Sequence, residues 1–448
     1  MPEFVPDENE TIAAKHSARI ARKLFERRHS KHRVHSWWNT WLFEYCALFS
    51  LVGLNLYTIY DIFGTRAPEI PYSGPVVPLF AKFVTLFQVD LAYTYQIVNI
   101  VFYLVLPLTL YYFVRKVTER KFPAFITVLV ASLPFYPFTE VRAHAAFYGG
   151  DAPHIVSLAV LPMALSGVLL FVRRGGLKSF FVASVVAAFI ALVSAFGYMN
   201  FVIFAALICF SEMLLGNGRL KILRLLAVIV ASAALCSFWY NPGLLNWMIF
   251  GPFGEDVRGT IKRLIPISFF SLPVLATFGY ILFDRKPSLQ PVFLASFFTI
   301  IFAIISLTGG GVFPGSPSRY VAEFGLSLAF LISVVIVKLA DYLRLVKHPA
   351  LSASKRLVLA NLMLVLILGT LIAGIVFGKE NIFLNKDRVL GIWTDVERGE
   401  IWAKRDSFGM VSSVIGYLIT SISLVGFGYL GKNIQNENSK TKQISSTA

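Results

Sequence analysis

Long apolar runs alternate with short polar connections along nearly the whole chain. The runs lack both the strict two-residue alternation of a half-buried strand and the one-sided stripe of a surface helix. A helix crosses about 30 Å of hydrocarbon with roughly 20 residues, and on that rule the pattern predicts about twelve spans. They lie near 41 to 60, 92 to 114, 123 to 138, 154 to 172, 179 to 196, 198 to 215, 225 to 240, 264 to 283, 290 to 308, 320 to 340, 357 to 378 and 409 to 430. The fifth and sixth are nearly continuous, too long together for one crossing at about 1.5 Å per residue. Gly197 to Asn200 is therefore read as a tight hairpin. The expected architecture is all-α, a polytopic transmembrane bundle with short extracytoplasmic loops, with residues 37–431 as its helical domain.

Composition agrees with this pattern and narrows it. The 448 residues are 56% hydrophobic, 15% aromatic and 15% charged, with a mean hydropathy of +0.68, far from the balance of a soluble globular domain. The net charge of +16 gathers in short connections such as Arg115, Lys116, Arg120 and Lys121, or Arg173, Arg174 and Lys178. That is the pattern of cytoplasmic loops, and it places both termini in the cytoplasm. No basic face interleaved with stacking aromatics is present, so nucleic acid is not an expected partner; membrane lipid is. Residues 1–36 carry Lys15, Arg19, Arg22, Lys23, Arg27 and Arg28 around Ile20, Leu24 and Phe25. They read as a basic amphipathic segment on an anionic leaflet, or simply as the positive flank of the first span. That span, preceded by about forty polar residues, is expected to be an uncleaved signal anchor. The tail 432–448 is polar and expected to be disordered. Cys46, Cys209 and Cys236 all fall in apolar runs and read as small core residues.

Candidate chemistry concentrates in the outer connections. Pro78 to Leu91, with Leu79, Phe80, Phe83 and Phe87 against Lys82 and Asp90, reads as an interfacial helix after a proline-rich first loop. The stretch Phe138 to Met163 packs Glu140, Arg142, His144, Tyr148, Asp151 and His154 between two apolar runs. Polar groups there are candidates for substrate binding, the plainer alternative being a solvated hairpin loop. An enzyme working on a lipid-linked donor at this face needs a carboxylate base, neutralisation of a phosphate leaving group and a groove for the lipid. Asp61, just past the first span, and Glu69 are the candidate bases. Asp151, in Tyr-Gly-Gly-Asp, could help to hold a divalent cation with oxygen ligands, although no D-x-D accompanies it. Arg319 could fork onto a phosphate, or pair with Glu323 four residues on. His144 and His154 could shuttle protons, or merely hydrogen-bond.

These features together resemble the glycosyltransferase C superfamily, integral membrane enzymes that use polyprenyl-phosphate-linked sugars. The resemblance rests on the acidic residue after the first span, the first outer loop with its interfacial helix, and Gly-Gly-Asp-Ala-Pro-His leading into Leu-Ala-Val-Leu-Pro-Met-Ala-Leu. It rests also on Phe238-Trp239-Tyr240-Asn241-Pro242 and Pro317-Ser318-Arg319-Tyr320. It implies a multi-helix fold with its site at the extracytoplasmic face, Asp61 as base, Arg319 near the donor phosphate, and a polyprenyl-phosphate-linked sugar as donor. The chain departs from the family in lacking a clear acidic pair in the first loop and a large soluble C-terminal domain. A flippase or transporter of lipid-linked or amphipathic solutes, and a non-catalytic partner in an envelope complex, remain as alternatives. Outer loops that are short and carry no N-x-S/T favour the plasma membrane of a cell over an organelle.

Overall fold

One helix, Ala152–Arg174, forms the axis of the bundle: 78% of its most apolar window is buried inside the protein, against 17% for the helices at Leu357–Phe377 and Met410–Lys432. This computed structural model describes residues 41–63, 72, 74–148, 151–251, 289–308, 317–345, 352–380 and 407–447, with isolated residues among 255–277 and at 382, 404 and 405. The contacts divide the chain into two units, Met1–Ala47 and Leu48–Ala448. Of the first, only the opening turns of a helix are described; the basic segment 1–36 and Glu69 lie outside the described residues.

Every element among the described residues is helical. In order they are α1 (Trp41–Ile59), a 3-10 turn (Tyr60–Ile62), α2 (Val76–Thr85), α3 (Leu91–Thr118), α4 (Lys121–Ala131), α5 (Thr139–Phe147), α6 (Ala152–Arg174), α7 (Leu177–Val193) and α8 (Ala195–Met213). There follow α9 (Gly218–Leu235), α10 (Pro242–Phe250), α11 (Gln290–Thr308), a second 3-10 turn (Pro317–Tyr320), α12 (Val321–Leu345), α13 (Ala353–Phe377) and α14 (Met410–Thr447). Eight described helices are long and apolar enough to cross a membrane. The chain is a multi-pass membrane protein. Of the remaining expected spans, two are the shorter apolar helices α4 and α7. A third is α9, whose first turns carry Arg219, Lys221 and Arg224. The segment near 264 to 283 lies almost wholly outside the described residues.

Four local expectations need correction. The break between the fifth and sixth spans falls at Ser194, which is extended and caps α8 by accepting from the Gly197 backbone N–H at 3.1 Å. Gly197 to Asn200 is helical, and Gly197 serves close packing instead: a Cβ there would lie 2.1 Å from Ser157 Oγ of α6. The third run stops at Ala131, because Pro134 and Pro137 follow and cannot continue a helix. The stretch after it is no solvated loop, since α5 is buried along its whole length. The helix expected after the first loop forms as α2; it buries Val77 and Ala81 and exposes Leu79, Phe80 and Phe83. The last helix continues through the polar tail expected to be without structure, to Thr447.

Candidate functional site

The polar residues of one end of the bundle form two adjoining groups, one open and one closed. The open group starts at Asp61. Its 3-10 turn is fastened to α3 by Gln96, whose side-chain amide donates to the Ile62 carbonyl at 3.2 Å. The Asp61 side chain is 52% exposed and takes an ion pair from Lys379 at 2.7 Å. The Lys379 ammonium in turn lies 4.9 Å over the Tyr57 ring. Tyr148, closing α5, stands near enough to feel that carboxylate: burial pushes its phenol above the ordinary value, and the Asp61 charge pushes it further. Behind Tyr148, and packed edge to face against it, the buried His144 donates from Nε2 to the Ile382 carbonyl. Lys379 and Ile382 thus return to the end of the first span to complete the group.

The closed group is built where α6, α8 and α12 all begin. Arg319 forks onto Asp151, its Nε at 2.8 Å from Oδ2 and its Nη2 at 2.9 Å from Oδ1. His154, one turn into α6, faces Asp151 Oδ2 with Nδ1 at 3.2 Å and Glu323 Oε1 with Nε2 at 2.6 Å. Asn200 of α8 donates to the same Glu323 oxygen at 2.5 Å. Asp151, His154 and Glu323 are all fully buried. Phe196 seals the group: Arg319 lies 4.0 Å over its ring and His154 meets it edge to face. Each buried charge is thereby paired, which is the condition for keeping charge out of water. Both ring nitrogens of His154 face carboxylate oxygens, so satisfying both contacts needs one more proton than a neutral imidazole and two carboxylates carry.

The expected site residues therefore separate. Asp61, His144 and Tyr148 come together at the open group; Asp151, His154 and Arg319 come together in the closed one. Arg142 joins neither. It is buried in α5, donating to the Ala131 carbonyl and to Thr139 Oγ1 at 2.9 Å, where a cation at the end of α4 suits the helix dipole. Arg319 spends its fork on Asp151, not on the i+4 glutamate. Asp151 in turn spends both oxygens within the group, and among the described residues no group of three His, Cys, Asp or Glu side chains could hold a metal ion. Sequence reading missed Lys379, which lies more than three hundred residues from Asp61 and shows only as the first cation after an apolar run. It also took Asn200 for a turn residue; an amide inside an apolar run was the available signal.

Comparison with known proteins bears on part of this arrangement. A family model described as a 6-pyruvoyl-tetrahydropterin synthase related domain, a membrane protein, matches residues 75–255. Over that part the chain is similar to this membrane domain. The match covers less than half of the chain; it takes in Arg142, His144, Tyr148, Asp151, His154 and Asn200, and leaves out Asp61, Arg319, Glu323 and Lys379. No curated protein and no solved structure matches the chain.

Proposed function

We propose that the chain is a membrane glycosyltransferase-like protein that moves a sugar from a polyprenyl-phosphate donor to a hydroxyl acceptor at the open group. The observation that supports this reading is the half-exposed Asp61 carboxylate held 2.7 Å from the Lys379 ammonium at the end of the first span. In the proposed step the acceptor oxygen attacks the anomeric carbon and its proton passes to Asp61. The bond from that carbon to the phosphate oxygen breaks, and the departing polyprenyl phosphate keeps the electron pair. Lys379 neutralises the departing anion. Because Arg319 is engaged with Asp151, it acts here as a positioning residue beneath the site, and the phosphate contact falls to Lys379.

The test is a mass-spectrometric survey of lipids that co-purify in mild detergent, followed by transfer assays with sugar-loaded polyprenyl phosphates in proteoliposomes. Wild type is expected to retain a polyprenyl phosphate or its sugar adduct and to transfer the sugar. Asp61→Asn should keep the lipid while losing at least a hundredfold in rate, roughly the contribution of a general base; Lys379→Ala should lose lipid and rate together. Full transfer by Asp61→Asn would remove the proposed base.

One observation favours a second reading, a carrier of lipid-linked or amphipathic solutes: His154 is sandwiched between two buried carboxylates at the mouths of α6 and α12. Buried acid and histidine chains of this kind mark proton pathways in transporters. A carrier would translocate the same lipid in proteoliposomes without cleaving it.

A further inference from the structure

Residues 172–178 end α6 and open α7, residues 212–224 end α8 and open α9, and the two segments are clasped together by their own cations. Arg173 bonds the Glu212 carboxylate with Nε at 2.8 Å, Lys221 donates to the Glu212 backbone carbonyl, and Arg224 donates to the Val172 carbonyl at 2.9 Å. Gly175, left-handed at φ +72°, leaves the space that the Arg224 guanidinium fills: a Cβ there would lie 2.4 Å from Nη2. The Lys221 ammonium is close enough to Arg173 and Arg224 to feel both as like charges. Across the two segments six cations, Arg173, Arg174, Lys178, Arg219, Lys221 and Arg224, meet a single acid, Glu212. That carboxylate is already spent, since besides Arg173 it accepts from the Gln290 side-chain amide at 2.5 Å. Arg174, Lys178 and Arg219 are exposed, and among the described residues no acid pairs with them. Cations gathered this closely repel one another until an anion joins them.

The apolar side chains around the cluster select the anion. Leu177 stands between Arg174 and Lys178, Leu220 between Arg219 and Lys221, and Leu223 beside Arg224; all three are exposed. Past these first turns α7 and α9 run on as apolar helices. Cations at the polar end of apolar helices, with leucines interleaved among them, match a molecule that is anionic at its head and hydrocarbon below. A soluble phosphate would make no use of the leucines. We propose that this cluster binds the headgroup of an anionic phospholipid from the adjoining leaflet. Arg174, Lys178 and Arg219 contact its phosphate, and Leu177, Leu220 and Leu223 lie along its acyl chains. Arg173, Lys221 and Arg224 hold the two segments in place and keep the ground beneath the phosphate positive. Basic pockets between helix ends at a membrane surface take headgroups of this kind. The site lies at the far end of α6 from Asp151 and does not depend on glycosyl transfer.

The test is native mass spectrometry of the full chain released from mixed micelles that hold phosphatidylglycerol and phosphatidylcholine in equal amounts. Wild type is expected to retain phosphatidylglycerol with a preference of about tenfold or more over phosphatidylcholine. Arg219→Gln should lower that preference about fivefold, the share of one cation at a membrane surface, and Arg174→Gln combined with Lys178→Gln should bring it close to one. All three side chains are exposed, so these variants are expected to fold. Lys355→Gln, which removes an exposed cation from the start of α13, should leave the preference unchanged. Equal retention of the two lipids by wild type overturns the proposal. So does an equal loss in Lys355→Gln and Arg219→Gln, which would reduce the effect to overall charge. Inorganic phosphate in millimolar excess should not displace the lipid; if it does, the occupant is a soluble anion and the proposal fails.

Discussion

Arg319 is 6% exposed, and a guanidinium is kept so far from water only by partners that replace its hydration. Asp151 supplies two parallel bonds and Phe196 a ring face. Truncating one side of such a pair strands the other charge, so Arg319→Ala should destabilise the protein by about 3–5 kcal/mol, read from unfolding in detergent. Arg319→Lys keeps the charge but cannot form the fork, and is expected to fall between wild type and Arg319→Ala. The double variant Asp151→Leu with Arg319→Met removes both charges and should cost less than Arg319→Ala alone. If all three melt with wild type, the pair is solvated and the closed group is not closed. The residue types here were legible, since Asp151, His154 and Arg319 stand out as polar islands beside apolar runs. Their pairing was not: helical spacing puts Arg319 and Glu323 on one face, and only the meeting of α6 with α12 sends the arginine to Asp151 instead.

Helices in a membrane gain little from hydrophobic attraction to one another and depend on close fit, which gives each interfacial glycine a specific neighbour. In α12, a Cβ on Gly325 would lie 2.2 Å from the Pro137 carbonyl oxygen, a backbone atom that cannot step aside as a side chain can. Gly325→Ala should therefore push α12 off the turn before α5 and cost about 1–3 kcal/mol, the usual range for overpacking. Gly369, inside α13, would meet nothing within 4 Å. There alanine removes only the entropy penalty of a helical glycine, and Gly369→Ala should be neutral or stabilising by up to roughly 1 kcal/mol. Paired melts of the two variants check this; a Gly325→Ala protein as stable as Gly369→Ala would mean that the α12 contact is not tight. The same distinction explains the misplaced break before α8. A glycine and an asparagine in a long apolar run carry the signals of a turn, yet here Gly197 admits Ser157 and Asn200 reaches Glu323. A single sequence presents a packing glycine and a turning glycine identically. Ser194, the residue that ends α7 and caps α8, is in a single sequence only one of many serines, with nothing to mark it as the break.

At the scale of the whole molecule the periodicity was most informative, because span length is set by the bilayer and not by side-chain detail. The long apolar helices fall where the runs predict, while the packing of the shorter apolar helices and the return of Lys379 to Asp61 depend on contacts far apart in the chain. These contacts also define two ends. Asp151, Asn200 and Glu323 bring the starts of α6, α8 and α12 together with Asp61 and Lys379 close by. At the other end Arg173 bonds Glu212 at 2.8 Å and Gln290 at 3.1 Å, Lys221 donates to the Glu212 carbonyl, and Arg224 donates to the Val172 carbonyl at 2.9 Å. Cations outnumber acids there, whereas the Asp61 end is mixed. If the basic end faces the cytoplasm, Asp61 and the proposed sugar donor lie on the opposite side. Thiol labelling tests this in a chain whose own Cys46, Cys209 and Cys236 have been replaced. Gly176→Cys and Leu215→Cys, both exposed at the basic end, should react with a membrane-impermeant maleimide only from the cytoplasmic side, and Tyr60→Cys, 68% exposed beside Asp61, only from the other. Labelling of Tyr60→Cys and Gly176→Cys from the same side would break the assignment of ends, whichever side it was. Labelling from opposite sides but in reversed sense would keep the fold and move the Asp61 site to the cytoplasm, where a donor presented at the outer leaflet could not reach it.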